Sequence, residues 1–412
     1  MSHYAFMGIM TAVFMRRLPI IIRPVLHALS VAVLWACVAV ATSTPRSMHA
    51  YGEGPIAPAI ASLDPDASLR AGLNFELSEQ LVADALDAPA GLLGSTNSSS
   101  FQERELAIEP CASDDVSSEI WELSTRHMPE RFRCISTESP GFDVHRLADG
   151  CWRSDSLERA LADDGRLVIF YVHGNFMERN NSLQRVRIID GYLRRRAHRS
   201  YRLIMLSWPS QPEPHPYRNV LENAEGAEDQ SLYLAWLLEQ LGDRSQVSLL
   251  GFSFGGRTVT GALHLVSGGT IPGLSHSHAS GTPDLRSIYR VGLVAPAVDR
   301  TWLSPTGRHR HALDRVDGLV NLYNSSDPVL RRFRFLDRMS RPIAAGFTGF
   351  ESLANPRITE PLAGQPAIRQ YDCSQAVGNT HSERTYYSQC PCFMPLLDHL
   401  LWNEPSGASN VH

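Results

Sequence analysis

A chain of 412 residues, 43% hydrophobic and 20% charged, has room for a large buried core, as one large domain or several smaller ones. Its formal net charge of −5 gives no reason to expect a nucleic-acid partner. All 38 basic residues are arginine; without lysine, a Schiff-base cofactor site, a P-loop lysine, a kinase lysine and a Ser-Lys dyad are excluded. Guanidinium groups stay charged, so proton transfer near neutral pH falls to His, Asp, Glu, Cys or Tyr.

At the N-terminus, Arg16, Arg17 and Arg23 precede an apolar run over residues 25–41, which ends in Ala39-Val40-Ala41 before Thr42. Basic, then apolar, then small is the order of a secretory signal. Left uncleaved, the same run sits at the short limit for a membrane-spanning helix. Residues 1–41 are therefore expected to be a signal peptide or membrane anchor. The protein is expected to be exported, periplasmic or extracellular, with the anchor form tethering it to a membrane. Residues 42–105 are rich in Ala, Pro, Ser and Gly and read as a low-complexity linker with one amphipathic stretch at 76–86.

The chain has seven cysteines, of which Cys37 lies in the targeting segment. The others are Cys111, Cys134, Cys151, Cys373, Cys390 and Cys392, an even set that export makes candidates for disulfides of undetermined pairing. Cys390-Pro391-Cys392 lacks the second cysteine pair that would suggest a metal, and none is expected.

From residue 106 to 404 the pattern becomes that of one α/β domain. Apolar runs rich in β-formers at 167–172, 201–207, 247–251, 288–295, 318–323 and 368–371 read as strands, with 120–124 and 142–147 as further strands at the start. Helical spacing follows the first of these runs, starting at Asn181 or Ser182. It recurs from about Asn219 to Leu241, where Gly242 stops it, and again through Leu265. Continuous apolar strands between amphipathic helices imply a mostly parallel sheet covered on both faces.

The strand 247–251 runs into Gly251-Phe252-Ser253-Phe254-Gly255 and then a helix. G-x-S-x-G at such a corner holds the serine in a strained turn, with small residues letting strand and helix approach. Its hydroxyl then stands at a helix N-terminus, where free N–H groups favour a developing anion. Two backbone donors are needed there. One is expected from Phe254, the other from Asn175 or Phe176 in the loop His173-Gly174-Asn175 after an earlier strand. His173 precedes the serine and ends a buried strand, so His173 and Gly174 are assigned to positioning that loop.

Serine needs a histidine base, and the histidine needs a carboxylate to orient it. In chain order after Ser253, Asp327 in Asn324-Ser325-Ser326-Asp327-Pro328 is the chosen acid, with Asp299 the alternative. Asp followed by Pro is also a helix N-cap signal, which is compatible with the catalytic role. His381, in a loop after the final strand, is the expected base. His399 lies in an apolar, helix-like tail and reads as structural. His276, His278, His309 and His311 fall in polar loops.

These residues give the chain a resemblance to the α/β-hydrolase superfamily. More narrowly it resembles a poorly characterised bacterial family with HG, SWPS and G-x-S-x-G blocks. The matching pieces are Leu123–Arg126, Val172-His173-Gly174, Leu206–Ser210, Gly251–Gly255, Leu322–Asp327 and His381 followed by Tyr386-Tyr387. Phe252 and Phe254 beside the serine, and the order Asn175-Phe176, depart from that family's pattern. The resemblance implies Ser253, Asp327 and His381 as a triad and names no substrate.

The expected activity is hydrolysis of a carboxylic ester or related acyl compound, without cofactor, with Trp208 and Phe252 walling the substrate pocket. The alternatives are an exported non-catalytic binding protein on the same fold, and an acyltransferase using the same triad.

Overall fold

Six consecutive residues, LVIFYV at Leu167–Val172, have no solvent exposure at all, and that burial fixes the middle of the molecule. The computed structural model describes residues 116–128, 134–135, 139–213, 215–242, 246–276, 287–337, 339–351 and 367–403. Outside the described residues lie 1–41, expected to be a signal or anchor, 42–105, expected to be a linker with the 76–86 stretch, and Cys111.

Nine strands make one sheet: β1 (Ser118–Ser124), β2 (Asp143–Ala148), β3 (Cys151–Ser154), β4 (Leu167–Val172), β5 (Tyr201–Ser207), β6 (Gln246–Phe252), β7 (Ile288–Val294), β8 (Val316–Tyr323) and β9 (Ala367–Asp372). Their spatial order is β9-β8-β7-β6-β4-β5-β1-β2-β3. Only β1–β2 and β2–β3 pair antiparallel; every other neighbouring pair is parallel. The expected strands are therefore present, joined by one that the sequence did not announce. CWRS at β3 is mostly exposed and polar, because an edge strand buries too little to carry an apolar run.

Five helices matter for the site: α1 (Arg179–Arg194), α2 (Pro216–Gln240), α3 (Phe254–Val266), α4 (Glu383–Gln389) and α5 (Phe393–Leu400). Helix α2 starts with Pro at its first turn, where a missing N–H is harmless, and the chain leaves it through Gly242 at φ +62°. From β4 the chain steps to β5 on one side and then crosses back to β6 on the other. Right-handed crossovers in opposite directions put α1 on one face and α2 with α3 on the opposite one. Accordingly α1 packs on β1 and β5, while α2 packs along α3. Helix α5 lies under β6, β7 and β8 on the face of α1, and Arg196 just after α1 pairs with Asp398 of α5.

This mixed, mostly parallel sheet flanked by helices is an α/β-hydrolase architecture. The reversal of strand order at β4 falls beside the carboxyl ends of β4 and β6, where sheets of this kind place their ligands.

Candidate active site

Strand β6 enters α3 without a loop, and Ser253 is the residue at the corner. Its φ of 52° and ψ of −118° lie where non-glycine residues are rare and strained. The glycines around it are required by contact. A Cβ on Gly255 would sit 2.0 Å from the carbonyl oxygen of Val172, and one on Gly251 2.8 Å from Gly255 O and the Gly256 backbone. The Ser253 amide donates to Val294 O at 3.1 Å, and its carbonyl accepts from Gly256 and Ala297. The corner is thus tied to the end of β7 as well as to β6.

Two further segments reach this serine. Asp327 follows β8 and is fully buried. Its Oδ1 accepts the amides of Val329 and Leu330, both at 2.9 Å, and starts the 3₁₀ turn Leu330–Phe335. Its Oδ2 lies 2.6 Å from His381 Nδ1, and His381 Nε2 lies 3.0 Å from Ser253 Oγ. A carboxylate accepts, so the imidazole proton sits on Nδ1 and the Nε2 lone pair faces the serine hydroxyl. Ser253, His381 and Asp327 form a Ser-His-Asp triad, the geometry of a serine hydrolase, and Asp327 caps a turn and orients the base at once. Asp299 belongs elsewhere: its carboxylate accepts from Thr301 N, Thr301 Oγ1 and Ile343 N.

His381 sits on a segment without a strand, between the short helix Ser374–Val377 and α4. Asn324 holds it, donating to the carbonyls of Gly378 (2.8 Å) and Thr380 (3.2 Å). The Phe252 ring tilts against the imidazole, centroids 5.2 Å apart. Below the base, Glu383 is buried and accepts from Tyr171 at 2.9 Å and from Tyr387, while Arg185 Nε lies 3.3 Å from its other oxygen. Burial and the Glu383 charge hold both phenols protonated.

The loop after β4 approaches the serine closely: a Cβ on Gly174 would meet Phe252 at 2.8 Å and Ser253 Cβ at 3.0 Å. His173 supports this loop from beneath. Its Nδ1 faces Gly174 O at 2.9 Å, and its Nε2 receives Trp208 N at 3.2 Å and Arg126 Nη2 at 3.3 Å. Burial, with the Arg126 charge beside it, pushes its pKa well below the ordinary value, so it stays a neutral imidazole. Trp208, expected to wall the pocket, is instead fully buried behind the loop: it stacks on His173 at 5.6 Å and donates its indole N–H to His173 O. Asn175 accepts from Asn223 of α2 at 2.6 Å, and Phe176 takes a φ of +53°.

Several functional neighbours escaped the sequence reading: Arg126 as a clamp on the loop through Met177 O, Asn223, and the Glu383–Arg185–Tyr171–Tyr387 cluster. Each joins residues far apart in the chain, which no local pattern announces. His309, expected in a polar loop, is instead fully buried, with Nδ1 3.0 Å from Thr260 Oγ1 and its ring against Trp302. His399 Nε2 faces Gly318 O at 3.0 Å, and burial lowers its pKa to about 4. His311 pairs with Asp314. His276 lies in the two-residue strand Ser275–His276, and His278 falls outside the described residues. Among the described residues no group of three or more His, Cys, Asp or Glu is arranged to hold a metal ion.

No protein-family model and no curated protein matches this chain. Among solved structures it is similar to the Est2 esterase of the planctomycete Thermogutta terrifontis. The native form is 12% identical, covering 59% of this chain and 84% of that one, with a TM-score of 0.30. The propionate-bound form is 12% identical over 50% and 72%, with a TM-score of 0.27. Scores this low carry no weight for fold or activity. The chain's own geometry is what establishes an α/β-hydrolase architecture bearing a Ser253–His381–Asp327 triad.

Proposed function

We propose that this protein hydrolyses carboxylic esters, or closely related acyl compounds, through an acyl-enzyme on Ser253. The observation that carries the reading is the continuous relay from Ser253 Oγ through His381 to the buried Asp327 carboxylate, at 3.0 and 2.6 Å. Ser253 Oγ attacks the acyl carbon as its proton passes to His381 Nε2, and Asp327 stabilises the imidazolium. His381 then gives that proton to the departing alcohol. Water repeats the sequence in reverse and frees the acid and the serine.

The developing oxyanion is assigned to the amides of Phe254 and of Asn175 or Phe176. Two observations support this: Phe254 opens α3 directly after the serine, and the Gly174 turn lies in contact range of Ser253. Phe252 is assigned to the apolar wall of the pocket, with Trp208 packed behind the loop. The HG, SWPS and G-x-S-x-G blocks support placing the chain in the bacterial family that shares them, with its catalytic domain at 106–404. The basic-apolar-small order of residues 1–41 supports export of that domain, by cleavage or by an anchor; N-terminal sequencing of protein recovered from fractionated cells tests it.

The activity is tested with a fluorophosphonate probe on the full-length protein beside Ser253→Ala, followed by p-nitrophenyl esters of graded chain length. Wild type is expected to label and turn over esters, and the variant to do neither. Folded wild-type protein that neither labels nor cleaves any ester would sink the proposal. Transfer of the acyl group to an added alcohol in place of water would revise it to an acyltransferase.

A further inference from the structure

Cysteine sulfurs meet directly behind the segment that carries the base. Cys373 leaves β9, and its amide donates to Tyr323 O at the end of β8 at 2.8 Å. Cys390 ends α4, its amide donating to Tyr386 O at 3.1 Å. Both thiols are buried and their sulfurs lie 2.6 Å apart. We propose that Cys373 and Cys390 form a disulfide that closes the 373–390 segment and holds the His381 loop against β8.

Bond formation needs the two sulfurs to close by roughly half an ångström, since a disulfide spans about 2.05 Å, and the side chains already face each other. Among the described side chains, the two other cysteines compete poorly. Cys151 is exposed on β3, at the opposite edge of the sheet. Cys392 stands beside Cys390, but only one residue separates them, and a bond between them would leave Cys373 alone in the core. What the bond would enclose is notable for its function: His381, the carbonyls of Gly378 and Thr380 that Asn324 holds, and Glu383. A cross-link removes conformational freedom from a stretch that has no sheet pairing to restrain it.

The chemistry is a two-electron thiol–disulfide exchange with a small-molecule disulfide such as oxidised glutathione. Contact with the Cys373 thiol makes Cys390 the easier of the two to ionise, down to about 7. The Cys390 thiolate attacks one sulfur of the oxidant and expels the other as a thiolate. The Cys373 sulfur, losing its proton, then attacks the Cys390 sulfur of the mixed disulfide and expels the second thiolate. Two cysteine thiols are oxidised, and one glutathione disulfide is reduced to two thiols.

The bond itself rests on the cysteine geometry; its value to catalysis rests on His381 being the base of the proposed hydrolase. Full-length protein, equilibrated overnight across glutathione redox pairs, is alkylated and digested for mass spectrometry. A peptide linking Cys373 to Cys390 is expected at the oxidising end, with both residues alkylated at the reducing end. Amide hydrogen exchange over residues 374–389 is expected to be about tenfold slower in the oxidised sample. Cys392→Ser should leave both results unchanged, and Cys373→Ser should abolish both. Free thiols at every potential, a Cys390–Cys392 link, or equal exchange in the two samples would each overturn the proposal. Fluorophosphonate labelling of the same samples separates the two readings. Cross-linked protein that never labels counts against the hydrolase and leaves the disulfide standing.

Discussion

Ser253 is held by backbone. Strand β6 lies between β4 and β7, and the corner is closed by glycines whose missing side chains let helix and strand touch. His381, 3.0 Å away, is held by side chains: Asn324 on two carbonyls, Glu383 among Arg185, Tyr171 and Tyr387, and Phe252 against the ring. A backbone-built position fails only when the sheet fails. A position built from polar side chains can be lost by itself, because each buried group needs its own partner. One half of the triad is therefore coupled to global stability and the other to a local network.

The largest expected effect separates chemistry from both kinds of support. Asp327→Asn keeps an oxygen for the Val329 and Leu330 amides but loses the charge that orients His381 as base. Ester turnover should fall about 10⁴-fold, with the urea midpoint nearly unchanged. A large shift in midpoint would mean that the acid is chiefly structural.

Next in size is acid destabilisation of the scaffold. His173, His309 and His399 all have folded pKa values lowered by burial, His399 to about 4. Below about pH 6.5 the unfolded chain binds protons that the folded one does not, so stability is full above that pH and declines as pH falls. By pH 5.5 the three together should cost about 4 kcal/mol relative to pH 7.5, read from urea midpoints. A flat profile across that window would show that these rings are charged in the fold.

The contrast itself is sharpened by a pair of variants of similar size. Gly255→Ala forces a Cβ into the Val172 carbonyl, where both partners are backbone, and should destabilise the whole fold by about 3 kcal/mol. Activity should fall in step with the unfolding of the whole domain, not ahead of it. Glu383→Gln leaves Arg185 without its carboxylate and should also lose about 3 kcal/mol. Here activity should drop while far-ultraviolet circular dichroism stays native. If the two variants behave alike, the distinction between backbone-held and network-held positions is wrong.

The same distinction explains what the sequence disclosed. Strands β4, β5 and β6 were legible because continuous apolar runs follow from burial on both faces, and Ser253 because its corner demands glycines at fixed offsets. Asp327 and His381 were reached from chain order and their places at strand ends, and the distances bear out the choice of Asp327 over Asp299. Asn223 and Glu383 left no trace, and Arg126 stood only inside the Leu123–Arg126 block with no role, since Asn175, Tyr171 and Met177, which they hold, lie tens to hundreds of residues away and a polar residue reads locally as surface. His309 misled for a related reason: a stretch of Arg, His and Gly reads as solvated until Trp302 and Thr260 are seen to cover it.

The C-terminal helix α5 also bears on the order in which the molecule is made. Ser248 of β6 donates to Leu400 O at 2.6 Å and accepts from the Trp402 indole at 3.0 Å, so the strand leading to the nucleophile is finished by residues some 150 positions later. The base arrives 128 residues after the serine. During synthesis, then, the serine is made long before its base and before the residues that finish its strand, and a growing chain carries a silent serine. Reactivity switches on only when the last strand, its loop and α5 have docked, which confines acyl chemistry to fully folded molecules.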